Sequence, residues 1–407
     1  MGSPGNVNDD PLAHRSAFAE PLYRRYFPAS CFATLASWLI RFLFGWSAWE
    51  LTHSAFWVGV VAGTMLLPTL LFSPLFGIVS DRINPRDGLL VTVLAHALVA
   101  VLAAVAAALN MLSLGSLVVL AILLGTATSA HTPLRLALVP RLVQRRALPS
   151  AIGYSAMIFN TSRIVGPAFG AWLVARFSVG VAFIVAGTLC IVAMLSLLGI
   201  TVDSAAQRGP MAGFLTELRA GFSYALARRS IRLIMGLTLL NGALGRTLLE
   251  LLPAFSGQLL DGSAETLATL SATAGIGSII GGLFVSRLGG DQLRLVRLVV
   301  VCLAAAVACL FAVRWLGGLF QLGTMILALS MNTTIAGTAT QALAQLTVDE
   351  TYRGRVLSLW SMLAMGAPAI GAIAIGALAQ SWGFPLVTAV TAGVATVLLV
   401  VLRPGTR

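Results

Sequence analysis

The sequence predicts an all-α membrane protein in which twelve membrane-crossing helices form two pseudo-symmetric bundles of six. Three observations carry that expectation. Hydrophobic residues make up 58% of the 407 residues and charged residues only 10%, where a soluble domain carries roughly 25% charge. Apolar runs of about 20 residues, the length that crosses a bilayer, recur along the whole chain. The two halves of the chain also match each other. Gly77, Asp81 and Arg82 close one apolar segment, and Gly282, Ser286 and Arg287 close another, 205 positions on. Arg41 and Arg246 stand inside apolar segments at the same offset. Gly166-Pro167-Ala168-Phe169-Gly170 is echoed by Gly366-Ala367-Pro368-Ala369-Ile370-Gly371. In a chain this apolar, paired repeats point to a transporter whose substrate site lies between the halves.

Taken in order, the predicted spans are 26–51, 55–79, 88–109, 114–138, 149–175, 180–202, 231–255, 263–285, 294–313, 318–345, 355–380 and 384–402. They must be helical, because lipid offers no partner to backbone N–H and C=O groups. Residues 1–20 are polar and lack the apolar core of a cleavable leader, so the first helix is expected to serve as the insertion signal. Some turns are very short, such as Thr52-His53-Ser54 and Ser178-Val179-Gly180. The longest loop runs from Asp203 to Ser230 and divides the chain at its centre. Its second part, Phe214 to Tyr224, reads equally as a plain linker or as an amphipathic helix on the membrane surface. The expected organisation is a tail over 1–24, a bundle over 25–203, a central loop over 204–230, a second bundle over 231–403 and a tail over 404–407.

The net charge of +12 comes from arginine alone, since the chain contains no lysine. Its distribution excludes a nucleic-acid partner and sets an orientation instead. With the N-terminus in the cytoplasm, the segments on that side collect arginines such as Arg24, Arg25, Arg82, Arg86, Arg141, Arg228, Arg229 and Arg355. The opposite loops hold only Arg176 and Arg314. Positive-inside asymmetry therefore predicts both ends in the cytoplasm. The four cysteines lie in apolar segments without metal-ligand spacing. No cofactor and no metal are expected. No phosphate-binding glycine loop and no catalytic constellation are present in the sequence, so enzyme and nucleotide-motor classes are set aside.

The first motif is Gly77-x-x-x-Asp81-Arg82-x-x-x-Arg86. The glycine admits a close helix neighbour, and Asp81 can pair with a basic group or cap a helix start in the other half. Together with Arg287, these residues read as a gate. The second motif is Gly166-Pro167-x-x-Gly170 with its echo at Pro368. Proline removes a backbone donor and bends a helix, so these residues read as a bend. The third set consists of charges at membrane depth, namely Arg41, Glu50, Arg163, Arg246 and Glu250. Such charges face a bundle interior or a wet cavity. Arg41 lies roughly 24 Å along its helix from Arg25, and Arg246 roughly 21 Å from Arg232, which places both past the midplane. Arg246 and Glu250 share one helix face. Arg41 and Glu50 point to opposite faces, so Arg41 needs a carboxylate from the other half or an anionic ligand. Glu50 reads as a solvated helix end. Trp38, Asn160, Asn241, Asn332 and Gln341 are further candidates for the cavity, although buried amides also join helices. His96 and His131 read as locally satisfied, and Trp49 as part of the interfacial belt.

With these residues in view, the chain resembles the major facilitator superfamily. Gly77 to Arg86 is similar to its loop between helices 2 and 3. Gly166 to Gly170 is similar to the helix-5 signature of its drug and proton antiporters. Glu50-Leu51-Thr52, Pro133-x-Arg135, Pro140-Arg141-Leu142-Val143, Ser162-Arg163-Ile164-Val165-Gly166-Pro167 and Arg353-Gly354-Arg355-Val356 resemble the branch of enterobactin-type siderophore exporters and macrolide-efflux proteins. That branch often has Gly-Asp-Trp in helix 1, where this chain has Ala36-Ser37-Trp38. A proton site on helix 1 is therefore in doubt.

The resemblance implies a secondary exporter of the bacterial cytoplasmic (inner) membrane that works by alternating access with proton antiport. Its substrate would be a small molecule, with a siderophore favoured, and its surroundings the lipid bilayer. The expected assembly is a monomer. The expected cavity residues are Arg41, Trp38, Asn160, Asn241, Arg246 and Asn332, with Glu250 as the proton carrier. Competing readings are a multidrug or macrolide pump, an importer, and a transport-inactive receptor or scaffold.

Overall fold

The computed structural model describes residues 16–80, 83–144, 147–202, 222–260, 262–286 and 292–402. Within them lie twelve long helical stretches, and among the described residues there is no strand. The first six are α1 (Pro21–Thr52), α2 (Ala55–Ser80), α3 (Pro85–Ala108), α4 (Leu114–Leu138), α5 (Leu148–Arg176) and α6 (Val179–Leu198). The seventh stretch, α7, is composite. Arg229–Asn241 passes through a π-helical turn, Gly242–Arg246, into Thr247–Glu250, and resumes beyond Leu251 as Leu252–Leu259. Then follow α8 (Ala264–Ser286), α9 (Gln292–Ala312), α10 (Leu319–Thr347), α11 (Glu350–Trp382) and α12 (Phe384–Val401).

Among the described residues, ten helices are long and apolar enough to cross a membrane. The other two, α5 and α7, carry Asn160, Arg163, Asn241, Arg246 and Glu250 of the site. Asn160, Thr161, Ser162 and Arg163 interrupt the apolar run of α5, and the π-turn and Pro253 break α7 into short pieces. The predicted spans agree with the helices to within a few residues, except where helices extend beyond the apolar stretch. Thus α1 begins at Pro21, where proline suits the first turn because its missing N–H would be unpaired there anyway. Most of 214–224, read equally as a plain linker or an amphipathic helix, lies outside the described residues, while 222–227 is helical.

Packing follows the repeat. In the first six helices α2 packs on α4, α3 on α4 and α6, and α1 on α5. In the second six, α8 packs on α10, α9 on α10 and α12, and α7 on α11. Each of these pairs is its counterpart moved on by six. The two dominant contacts between the sixes obey the same rule, because α2 packs on α11 and α5 on α8. Small residues make these seams close. A methyl group added at Gly59 would strike the Ala372 carbonyl, and one at Gly275 would strike Ile164. Such residues allow helix backbones to approach in a medium that supplies no hydrophobic drive between helices.

α5 and α11 run unbroken through Pro167 and Pro368. Gly166 and Gly170 lie directly on Trp38, Leu39 and Phe42 of α1. In the second half Gly242 lies on Ala367 and Pro368, and Gly371 on Thr247. The proline segments therefore sit at the tight α1–α5 and α7–α11 contacts. His96 and His131 are tied to the α3–α4 seam. His131 Nδ1 is 3.0 Å from the Thr92 hydroxyl, and His96 Nε2 is 3.2 Å from that of Thr128.

Candidate substrate cavity

Between the two sixes lies a cavity of about 860 Å³, lined from α1, α2, α5, α7, α8, α10 and α11. Two of its lining residues, Gly45 and Pro253, touch across the seam toward the end of the molecule where α1 finishes. That end is closed. Trp49 of α1 covers Gly257 of α7, and the Ala55 N–H donates to Gln380 Oε1 at 2.8 Å. Trp49 is therefore 7% exposed and buried in the seam. This corrects the expectation of an interfacial tryptophan, because a glycine at 257 leaves room for the indole. Glu50, one residue on, is exposed, as a solvated helix end should be. In the other direction the lining runs to Gly153, Gly282 and Gln341. Nothing lies within 4 Å of where a side chain would begin at Gly153 or Gly282, so the cavity widens toward the end where α1 begins.

The electrostatics of the cavity rest on three arginines and one glutamate. Arg41 Nη2 donates to Glu250 Oε2 at 2.6 Å, and the two side chains are 23% and 17% exposed. The partner Arg41 required is thus a carboxylate from the other half. The Arg41 guanidinium also sits 5.5 Å from the Trp38 ring, within cation–π range. Trp38 is in turn held edge-on by Phe159.

Arg246, four residues before Glu250, lines the same cavity but forms no ion pair or hydrogen bond among the described residues. The π-turn explains why both groups reach the cavity together with Asn241. One extra residue in the turn swings everything after Arg246 about 100° around the helix axis relative to a continuous α-helix. Gly242 and Gly245 permit the tight approach of Ala367 and Thr333 to this turn. The Thr247 hydroxyl helps close it by donating to the Gly242 carbonyl at 3.0 Å.

Arg163, on α5, reaches across the seam. Its Nη2 donates to the hydroxyl of Ser278 on α8 and, at 3.2 Å, to that of Ser330 on α10. The two serine oxygens are 2.7 Å apart, and the Thr334 hydroxyl donates to Ser278 at 2.9 Å. The expected cavity set did not include this network, although a sequence signal existed. Ser271, Ala274 and Ser278 recur along one face of α8, and Thr334, Thr338 and Gln341 along one face of α10.

Of the expected cavity residues, Trp38, Arg41, Asn160, Asn241 and Arg246 are brought together in the lining, with Glu250 among them. The Asn241 amide donates to the Thr333 carbonyl at 3.2 Å and so joins α7 to α10. Asn332 lies apart from the lining, with its amide donating to the Ala328 carbonyl of its own helix at 2.8 Å.

Of the expected gate, Gly77 lies in α2, and Asp81, Arg82 and Arg287 lie outside the described residues. Arg86 does not reach the second half. It donates to the Leu197 and Leu198 carbonyls at 3.3 and 3.0 Å and pairs with Asp87. It thereby caps the negative end of the α6 dipole. No group of three or more metal-ligating side chains occurs among the described residues.

Comparison with known proteins agrees with this architecture. The staphyloferrin A transporter of Staphylococcus aureus is 23% identical over 363 residues, which cover 88% of this chain and 89% of that protein. Among solved structures, the nucleoside transporter NupG superposes with a TM-score of 0.72 at 14% identity over 93% of this chain and 96% of its own. A POT family transporter in complex with 5-aminolevulinic acid gives 0.73 at 12% identity, over 93% and 94%. A bacterial homologue of the human lysosomal transporter Spinster gives 0.70 at 13%, over 94% and 96%. At these identities the structures show the fold. The profile of the transmembrane secretion effector family matches residues 13–404. With a profile match over nearly its whole length and a cavity between two related sets of helices, the chain belongs to the transmembrane secretion effector family of major facilitator transporters, as a multi-pass membrane protein that carries a small molecule.

Proposed function

We propose that this transporter exports a small anionic molecule, a siderophore, across the bacterial cytoplasmic membrane by alternating access in exchange for protons. The observation that carries the reading is the charge of the cavity, three guanidiniums answered by one carboxylate. Unpaired cations at membrane depth are costly, and an anionic substrate offsets them. The transport of a siderophore by the similar staphylococcal protein and the secretory description of the family support the substrate class and the direction. Arginine asymmetry supports cytoplasmic termini, which makes the wide end of the cavity cytoplasmic.

In this reading residues 25–203 and 231–403 rock as two bodies joined by 204–230, with Gly77, Asp81, Arg82, Arg86 and Arg287 at the cytoplasmic gate. Bends at Gly166, Pro167, Gly170 and Pro368 accommodate the motion. Glu250 carries the proton in the substrate-free half of the cycle; while substrate is bound it is ionised and paired with Arg41, so proton and substrate never travel together. A multidrug pump is the second reading, favoured by the apolar part of the lining, which includes Phe42, Met65, Met157 and Trp360.

The test is secretion under iron limitation with and without the gene, followed by uptake into inverted vesicles under an imposed proton gradient. Arg41→Ala should abolish export of an acidic siderophore and spare that of neutral or cationic drugs. Unchanged secretion in the deletion strain would remove the export reading. Equal losses for acidic and cationic compounds would transfer the assignment to a multidrug pump.

A further inference from the structure

Only one of the three cavity guanidiniums has an anion. Glu250 holds Arg41. Arg246 has no hydrogen bond or ion pair among the described residues, although it lies in the fields of Glu250 and Arg41. Arg163 engages Nη2 alone, and both of its acceptors are neutral hydroxyls. It also lies in the fields of Arg246, Glu250 and Arg41, without a direct contact to the carboxylate. A guanidinium has five N–H donors and suits a carboxylate fork, so both arginines are under-used.

The serines that hold Arg163 do not depend on it. The Ser330 hydroxyl donates to the Ala274 carbonyl at 2.6 Å, Ser278 can donate to Ser330, and Thr334 donates to Ser278. Every hydroxyl proton of this Thr334–Ser278–Ser330 relay has an acceptor without Arg163. Arg163 can therefore leave without orphaning a buried donor, the kind of loss that makes most such departures expensive.

We propose that the cavity receives a substrate bearing two carboxylates, one paired with Arg246 and the other drawing Arg163 away from Ser278 and Ser330. This inference rests on the transport reading above and adds to it the charge of the substrate and a specificity residue, Arg163. It also links loading to movement. Arg163 belongs to α5 in the first half, and Ser278 and Ser330 belong to α8 and α10 in the second, so a dicarboxylate replaces a hydrogen bond between halves with one to itself. A monocarboxylate satisfies Arg246 alone and leaves that tie in place.

The test uses the purified full chain in detergent and isothermal titration with glutarate, adipate and butyrate at one ionic strength. The better dicarboxylate should bind roughly tenfold or more tightly than butyrate, as one added charge-assisted contact implies. Arg163→Gln should bring the ratio of dicarboxylate to butyrate affinity to about one, because the second carboxylate then has no partner. Arg246→Gln should weaken both. If Arg163→Gln does not fold by size exclusion and thermal unfolding, the Ser278→Ala/Ser330→Ala variant serves instead. Without its competing acceptors Arg163 is freer, so dicarboxylate binding should tighten relative to butyrate binding. A dicarboxylate bound no better than butyrate overturns the proposal, and so does discrimination that survives Arg163→Gln or an unmoved ratio in the serine variant. Discrimination without secretion in cells would keep the dicarboxylate site and remove the export reading. Secretion that depends on Arg41 without discrimination would do the reverse.

Discussion

Glu250→Gln should open the closed end of the molecule. The pair it breaks joins α1 to α7 at 2.6 Å, and these helices belong to opposite halves, so the pair exists only while that end is shut. With charge centres about 4 Å apart and an effective dielectric near 20, the attraction is roughly 4 kcal/mol. Both side chains keep some contact with the cavity, at 23% and 17% exposure. Hydration and the cost of desolvating the pair reduce the net contribution to about 2 kcal/mol. That corresponds to about a 30-fold shift in the equilibrium between closed and open. An open population of about 1% would rise to roughly 20–25%.

Spin labels at His53 and Trp382 report this directly, because the α1–α2 and α11–α12 turns flank the seam where Ala55 meets Gln380. The four native cysteines, none of them in a disulfide, are first replaced by serine. Double electron–electron resonance in nanodiscs should show a longer-distance population growing in Glu250→Gln and in Arg41→Gln. The double variant should be no more open than either single, since the same interaction is lost only once. An unchanged distance distribution in Glu250→Gln, or fully additive effects in the double variant, would refute the assignment of this pair as the latch.

Other perturbations test the seams and caps. Gly59→Val places side-chain atoms against the Ala372 carbonyl and should cost about 1–3 kcal/mol of stability by overpacking, read as a lower thermal unfolding midpoint. Trp49→Ala empties the site over Gly257 and should cost about 3 kcal/mol, read in the same melt, with the His53–Trp382 distance increasing. Arg86→Ala strips the Leu197 and Leu198 carbonyls of their partner. It should cost about 1 kcal/mol and speed amide exchange at the end of α6 while leaving the far-end distance unchanged.

Much of the architecture can be read from the residues because the solvent of a membrane protein is so restrictive. A backbone that cannot bond to lipid must bond to itself, so apolar length predicts where helices run. The repeat goes further. A chain whose second half copies its first must pack α8 on α5 if it packs α11 on α2, and it does. Of the five charges read at membrane depth, Arg41, Arg163, Arg246 and Glu250 line the candidate cavity, while Glu50 is an exposed helix end.

What the residues alone left open depends on contacts between segments distant in sequence. Arg41 needed an anion, but whether Glu250 or a ligand supplied it was decided by the separation of α1 and α7. Arg163 was visible as a charge, while its acceptors Ser278 and Ser330 come from two other helices, whose polar faces do not say which charge they meet. Trp49 looked like a belt residue until the fold set Gly257 beneath it. The π-turn at Gly242–Arg246 has little local signature beyond two glycines. Hydropathy and repetition act locally or through symmetry and so can be read along one dimension. The partners of a buried charge are chosen by proximity in three, and only the packed helices determine that.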